Sequence, residues 1–208
     1  MRASPPTLFR CVIRSGEFGA LKHSPKPNVL HCVSNLVLQK DRLMSETEVL
    51  PPAALPGAGK TVGVLALQGG VAEHARMLES LGAQVVLVKS AEQLANLDAL
   101  VLPGGESSTI DRLTRIFGLR QPLIEATSGG LPTLGTCAGL IMLSTTIDDP
   151  APGQQSLGVL DVSVGRNAFG SQVDSAQVHL PWLTPSGEEV VIDTAFIRAP
   201  IVTRAGEG

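Results

Sequence analysis

A cysteine flanked at both second neighbours by glycine is the feature of this sequence best suited to covalent chemistry: Leu134-Gly135-Thr136-Cys137-Ala138-Gly139. An apolar run ends there and helix-compatible residues follow at once, which predicts a sharp strand-to-helix bend with the thiol at its apex. The glycines remove side chains that such a bend would force together. At a helix N-terminus the backbone dipole favours thiolate over thiol. The following amides, Ala138 first, can also receive a developing oxyanion. The plain alternative is a buried structural cysteine in a crossover, with glycine needed only for packing.

A second pattern is Leu102-Pro103-Gly104-Gly105-Glu106-Ser107-Ser108, an apolar run broken by a diglycine turn and then polar residues that can open a helix. The amides of such a turn can hold an oxyanion or a carbonyl. Equally, the turn can be an ordinary strand-to-helix connection capped by Ser107 or Ser108. A third break, Gln68-Gly69-Gly70, also follows an apolar run. If the three runs are neighbouring parallel strands, their ends share one edge of the sheet and the three turns lie side by side.

The pattern that must position them alternates strand and helix from residue 60 onward. Strands are predicted at 62–67, 84–88, 99–102 and 131–134, and helices at 71–81, 91–97, 107–117, 122–127 and 138–144. Gly82 and Gly118 stand at helix ends, as C-terminal caps do. This predicts an α/β fold, a mostly parallel sheet with helices on both faces. After Pro150 the texture becomes turn-rich. Strands at 157–164 and 190–197 predict an antiparallel excursion at one sheet edge.

Residues 1–59 show no sustained period, carry repeated prolines and read as a disordered or loosely attached lead. They hold a net +3 against −6 for residues 60–208. Met44, which opens a short polar stretch before the first strong strand, is a candidate true start. A transit peptide is the rival reading of the lead. Hydrophobic residues make up 43% of the chain and aromatics only 3%, so the core must be aliphatic. The net charge of −3 gives no electrostatic case for nucleic acid. No apolar run reaches the roughly 18 residues of a membrane span. The three cysteines, Cys11, Cys32 and Cys137, lack disulfide-framework or zinc spacing. A cytoplasmic protein without bound metal or cofactor is the expectation.

Five blocks occur in a fixed order: Gln68-Gly69, Pro103 to Thr109, Gly135 to Leu140, Arg166-Asn167-Ala168-Phe169-Gly170, and Phe196-Ile197-Arg198-Ala199-Pro200. Together they resemble the glutaminase subunits of pyridoxal phosphate synthases, a branch of the class I glutamine amidotransferases. The resemblance covers residues 61–200 and implies a flavodoxin-like, three-layer fold. It implies that Cys137 attacks the side-chain amide of L-glutamine, releasing ammonia, and that water then hydrolyses a γ-glutamyl thioester. Gly105, Glu106, Ser107, Arg166, Ile197 and Arg198 would contact the glutamine. Gln68, Gly69, Gly104 and Ala138 are the oxyanion or loop candidates. The implied partner is a barrel-shaped synthase subunit that consumes the ammonia, and no cofactor is implied. Read without the resemblance, Arg166 is a solvated side chain, the partner of an acid such as Asp161, or a ligand-binding group.

A cysteine nucleophile needs a proton acceptor. The resemblance implies a His-Pro-Glu segment for this, and none stands among the 208 residues. The expectation is therefore that the last elements of the fold are missing and that a chain of this length has negligible glutaminase activity. The alternative function is an inactive fragment that only docks on the synthase. Of the histidines, His74 is expected to be solvated or partner-facing, and His179 lies in the turn-rich excursion.

Overall fold

The computed structural model describes residues 55–166, 176–183, 187–196 and 199–206. The rest of the amino-terminal lead with Met44, the Asn167–Gly170 block, and Ile197 and Arg198 lie outside the described residues. The folded unit includes the turn at Leu55–Gly59, where the Gly57 amide donates to Leu81 O at 2.8 Å.

The centre is a parallel sheet of β1 (Thr61–Leu65), β2 (Gln84–Val88), β3 (Ala99–Leu102) and β4 (Thr133–Gly135), in the order β2-β1-β3-β4. Both faces of β1 and β3 are apolar, so both must be covered. Val62, Val64 and Val101 face one side, where Val71 and Leu78 of α1 (Val71–Ser80) pack. Leu65, Leu100 and Leu102 face the other, against residues of α2 (Ser107–Ile116), α3 (Arg120–Ser128) and α4 (Ala138–Leu143). Helices therefore lie on both faces, and the three-layer α/β expectation holds. Because β2 and β3 flank β1, the chain reverses its direction of winding there. The crevice outside the strand ends at such a reversal is where open α/β sheets bind ligands.

Four elements differ from the sequence reading. The helix expected at 91–97 is a single 3-10 turn at Ala91–Leu94, followed by Asn96 with φ 62°. Three strands were not anticipated: β5 (Ser144–Ile147), β7 (Ala176–Leu183) and β9 (Ile201–Ala205). β5 pairs in parallel with β6 (Leu160–Gly165), and β9 returns antiparallel to the other side of β6. The strands expected at 157–164 and 190–197 do not form the antiparallel excursion together: β8 (Glu189–Phe196) pairs with β7 in a separate two-stranded hairpin, while β6 takes β9 as its antiparallel neighbour. Pro181 inside β7 hid that strand, since proline is tolerated only where no ladder hydrogen bond is required of it. Among the described residues no helix is long and apolar enough to cross a membrane.

Candidate active site

β1, β3 and β4 run parallel, and Leu102 lies opposite Gly135 in the register. The turns after the three strands therefore emerge on one edge. The Thr136 amide donates to Leu102 O at 3.0 Å, which carries the ladder up to the cysteine. Cys137 then adopts φ 49° and ψ −106°, outside the helix and strand regions, before α4 begins. Only Asn96 shares a positive φ among the described non-glycine residues. Strained backbone of this kind costs on the order of 1–3 kcal/mol and persists where the surroundings enforce it.

The surroundings here are glycines. A Cβ on Gly139 would lie 2.0 Å from Leu102 O, and one on Gly135 would lie 2.7 Å from the Gly139 backbone. The first turn of α4 thus sits directly on the end of β3, and no other residue fits at either position. Ala138 is the first residue of α4, so its amide has no helical acceptor. Cys137 is half-buried, whereas a structural cysteine among aliphatic side chains would be fully buried.

The Gln68-Gly69-Gly70 turn is stitched to the diglycine turn. Gly70 N donates to Gly104 O at 2.9 Å, and Gln68 Oε1 accepts from Glu106 N at 2.9 Å. Gly69, at φ +99°, touches the same segment so closely that a Cβ would stand 1.9 Å from Gly104 O. With the Gly104 carbonyl turned toward β1, the trans peptide directs the Gly105 N–H the opposite way. β4 and the cysteine lie on that side.

Glu106 is the N-cap of α2, a place the sequence reading offered to Ser107 or Ser108. Its carboxylate accepts from the Ser108 amide at 3.2 Å and the Thr109 amide at 2.6 Å. Burial raises its pKa, but the hydrogen bonds from Ser108 and Thr109 outweigh this and hold it at about 2. Arg166, directly after β6, reaches back 3.4 Å to Glu106 and 2.7 Å to Gln154 Oε1. Its side chain is only 15% exposed. It is therefore not solvated, and the acid it pairs with is Glu106, while Asp161 pairs with Arg204. Ser107 is buried and accepts from Gln154 Nε2 at 2.9 Å.

Gln154 is the residue the sequence reading missed. It stands in a turn rich in proline and glycine, and its contacts lie 12 and 47 residues away. The turn is anchored from below. The fully buried Asp111 accepts from the Gln155 amide at 3.1 Å and pairs with Arg115 at 2.9 Å, while Arg120 donates to Ser156 O. A cavity of about 340 Å³ lies along this turn, lined by Arg120, Thr145, Ile147 and Gln154 among others. Cys137 does not line it, so it is not the space above the thiol.

The described histidines are both engaged. His74 belongs to the inward stripe of α1, with Val71, Ala75 and Leu78, and is not solvated as the sequence suggested. Its Nδ1–H donates to Gly70 O at 2.6 Å, which leaves Nε2 for the Thr136 hydroxyl at 3.1 Å. His179 is exposed on the hairpin against Asp193. Among the described residues no group of three His, Cys, Asp or Glu side chains could hold a metal.

Residues 64–208 match the model of a family described as the SNO glutamine amidotransferase family. A pyridoxal 5'-phosphate synthase subunit PdxT from Cutibacterium acnes is 52% identical over 147 residues, covering 71% of this chain and 72% of that one. The protein of the same name from Kineococcus radiotolerans is 54% identical over 149 residues, 71% of each chain. A solved structure described as a glutamine amidotransferase superposes with a TM-score of 0.63 at 44% identity, covering 71% of this chain and 76% of that one.

Proposed function

The chain belongs to the SNO glutamine amidotransferase family, and we propose that the cleft at Cys137 is where it carries out that family's reaction. It is a glutamine-hydrolysing amidotransferase subunit, and the ammonia it releases serves pyridoxal 5'-phosphate synthesis. The single observation that carries the assignment of the site is the elbow. A half-buried cysteine in strained backbone stands at a helix start, beside the diglycine turn that ends the neighbouring strand.

In this reading the Cys137 thiolate attacks the side-chain carbonyl carbon of L-glutamine, forming a C–S bond. The oxyanion that results is received by the Ala138 and Gly105 amides. Two preorganised donors in a water-poor site are worth several kcal/mol, since losing one typically costs about 3 kcal/mol of transition-state stabilisation. Collapse of the tetrahedral species breaks the C–N bond and expels ammonia once the nitrogen has taken a proton from solvent water. Water then attacks the thioester carbonyl, giving glutamate and restoring the thiol.

The α-carboxylate of the substrate suits the Arg166 guanidinium, which keeps donors beyond those bound to Glu106 and Gln154. Ser107 and Glu106 border the same space, and Gln68 and Gly69 form its β1 side. Ile197 and Arg198 complete the set of glutamine contacts in this proposal. His74 is a brace of the elbow, since both its ring nitrogens serve Gly70 and Thr136, and it is not the base. The synthase partner, an L-glutamine substrate and a cytoplasmic setting belong to the same proposal.

The test is an L-glutamine analogue whose amide is replaced by a chloromethyl ketone, which alkylates any accessible thiol slowly and a thiol beside a bound glutamine skeleton fast and saturably. Labelling that saturates, maps to Cys137, is slowed by L-glutamine and vanishes in Cys137→Ala supports the assignment. Labelling spread over Cys11, Cys32 and Cys137, with no competition by glutamine, contradicts it.

A further inference from the structure

We infer that Gln154 is a positioning residue for substrate recognition: its one amide sets the orientation of both Arg166 and Ser107. The inference rests on the reading of the Cys137 cleft as a glutamine site and deepens it.

The amide has no freedom to flip. Its Oε1 accepts from the Ala151 amide at 3.0 Å and from Arg166 NH1 at 2.7 Å, so Nε2 must be the end that donates to Ser107 Oγ at 2.9 Å. Each contact has a consequence. With one lone pair of the buried Ser107 oxygen taken by Nε2–H, the Ser107 side chain is tied to the same amide that holds Arg166. With one terminal nitrogen on Gln154 and the other on Glu106, the Arg166 guanidinium plane is fixed before any substrate arrives. Holding a long cationic side chain in its working geometry removes an ordering cost from binding. A neutral amide does this without the drawback of a second carboxylate, which would compete with an incoming anion for the same guanidinium.

The rest of the fold keeps Gln154 in place. Gln154 N donates to Ala151 O at 2.9 Å, closing the turn, and the next residue's amide is held by the buried Asp111. Arg115 and Arg120 donate to the carbonyls of Gly153 and Ser156 on either side. A solvated surface glutamine would need none of this support.

The experiment follows alkylation of the 208-residue chain by the glutamine chloromethyl ketone, separating the saturation constant from the maximal rate, with iodoacetamide as a reagent that lacks the amino-acid end. Gln154→Leu should raise the saturation constant about tenfold while leaving the maximal rate and the iodoacetamide rate within about twofold. Gln154→Glu keeps the acceptor for Ala151 but neutralises Arg166 and drops the donor to Ser107, so it should raise the saturation constant at least as much. It carries the test should the leucine variant fail to fold. An unchanged saturation constant in a folded variant overturns the inference. So does a parallel fall in the iodoacetamide rate, which would show Gln154 acting on the elbow as a whole. If the unsubstituted chain is not labelled saturably at Cys137, the failure belongs to the glutamine-site reading and not to Gln154.

Discussion

Replacing Glu106 by Gln should cost stability at neutral pH and much less in acid. The carboxylate caps α2 through the Ser108 and Thr109 amides, accepts from the Ser108 hydroxyl and meets Arg166. These hydrogen bonds outweigh the burial that opposes them and lower the pKa from 4.5 to about 2. Taken at face value that difference is about 3 kcal/mol of stability. The side chain is 46% exposed, however, so solvent screening leaves roughly 1 kcal/mol, the usual size of an N-cap contribution. Because the folded pKa is depressed, the stabilisation is fully present above about 4.5. It is lost as pH falls through 4.5 toward 2. Thermal melting of the chain and of Glu106→Gln should therefore differ by about 2–4 °C at pH 7. The gap should be roughly halved by pH 3. Equal melting temperatures at pH 7, or a gap that does not change down to pH 3, would refute the account of this cap.

Other substitutions probe the rest of the framework. Asp111→Ala removes the buried carboxylate that pairs with Arg115 and Arg120 and accepts from the Gln155 amide. It should lower unfolding free energy by about 3–5 kcal/mol, read as the shift in urea midpoint. Gly69→Ala meets both a positive φ of 99° and the Gly104 carbonyl. It should destabilise by on the order of 1–3 kcal/mol and slow analogue labelling by displacing the diglycine turn. Arg166→Lys cannot hold Gln154, Glu106 and a carboxylate at once, and should weaken the analogue's saturation constant about tenfold with the iodoacetamide rate unchanged.

Most of the site's framework was legible because it depends on residues that punctuate. Val62 to Leu65 and Leu100 to Leu102 read as buried strands from continuous apolar runs, and Gly69, Gly105 and Gly135 mark where those strands must stop. A glycine required by close approach, such as Gly139 on Leu102 O, leaves a mark in the sequence even though its contact is long-range. The inner face of α1 was harder. The helix expected at 71–81 ends at Ser80 with Leu81 as a 39% exposed cap, while His74 takes an inward place. A half-buried helix lying on the outside of a sheet tolerates either. β5 and β9 were hidden because they are short and mixed in polarity, and their stability comes from pairing with β6 and not from local propensity. Gln154 could not have been found by pattern. An amide that links two segments through tertiary contacts has no period or neighbour to announce it.

The central claim is that the thiol of Cys137 shares a cleft with the groups that recognise L-glutamine. Mass-spectrometric mapping of iodoacetamide alkylation, with and without L-glutamine, tests it on the chain as it stands. The account predicts that Cys137 reacts faster than Cys11 or Cys32, and that L-glutamine slows its alkylation alone. Equal reactivity of the three cysteines, or a Cys137 rate indifferent to saturating L-glutamine, would contradict it.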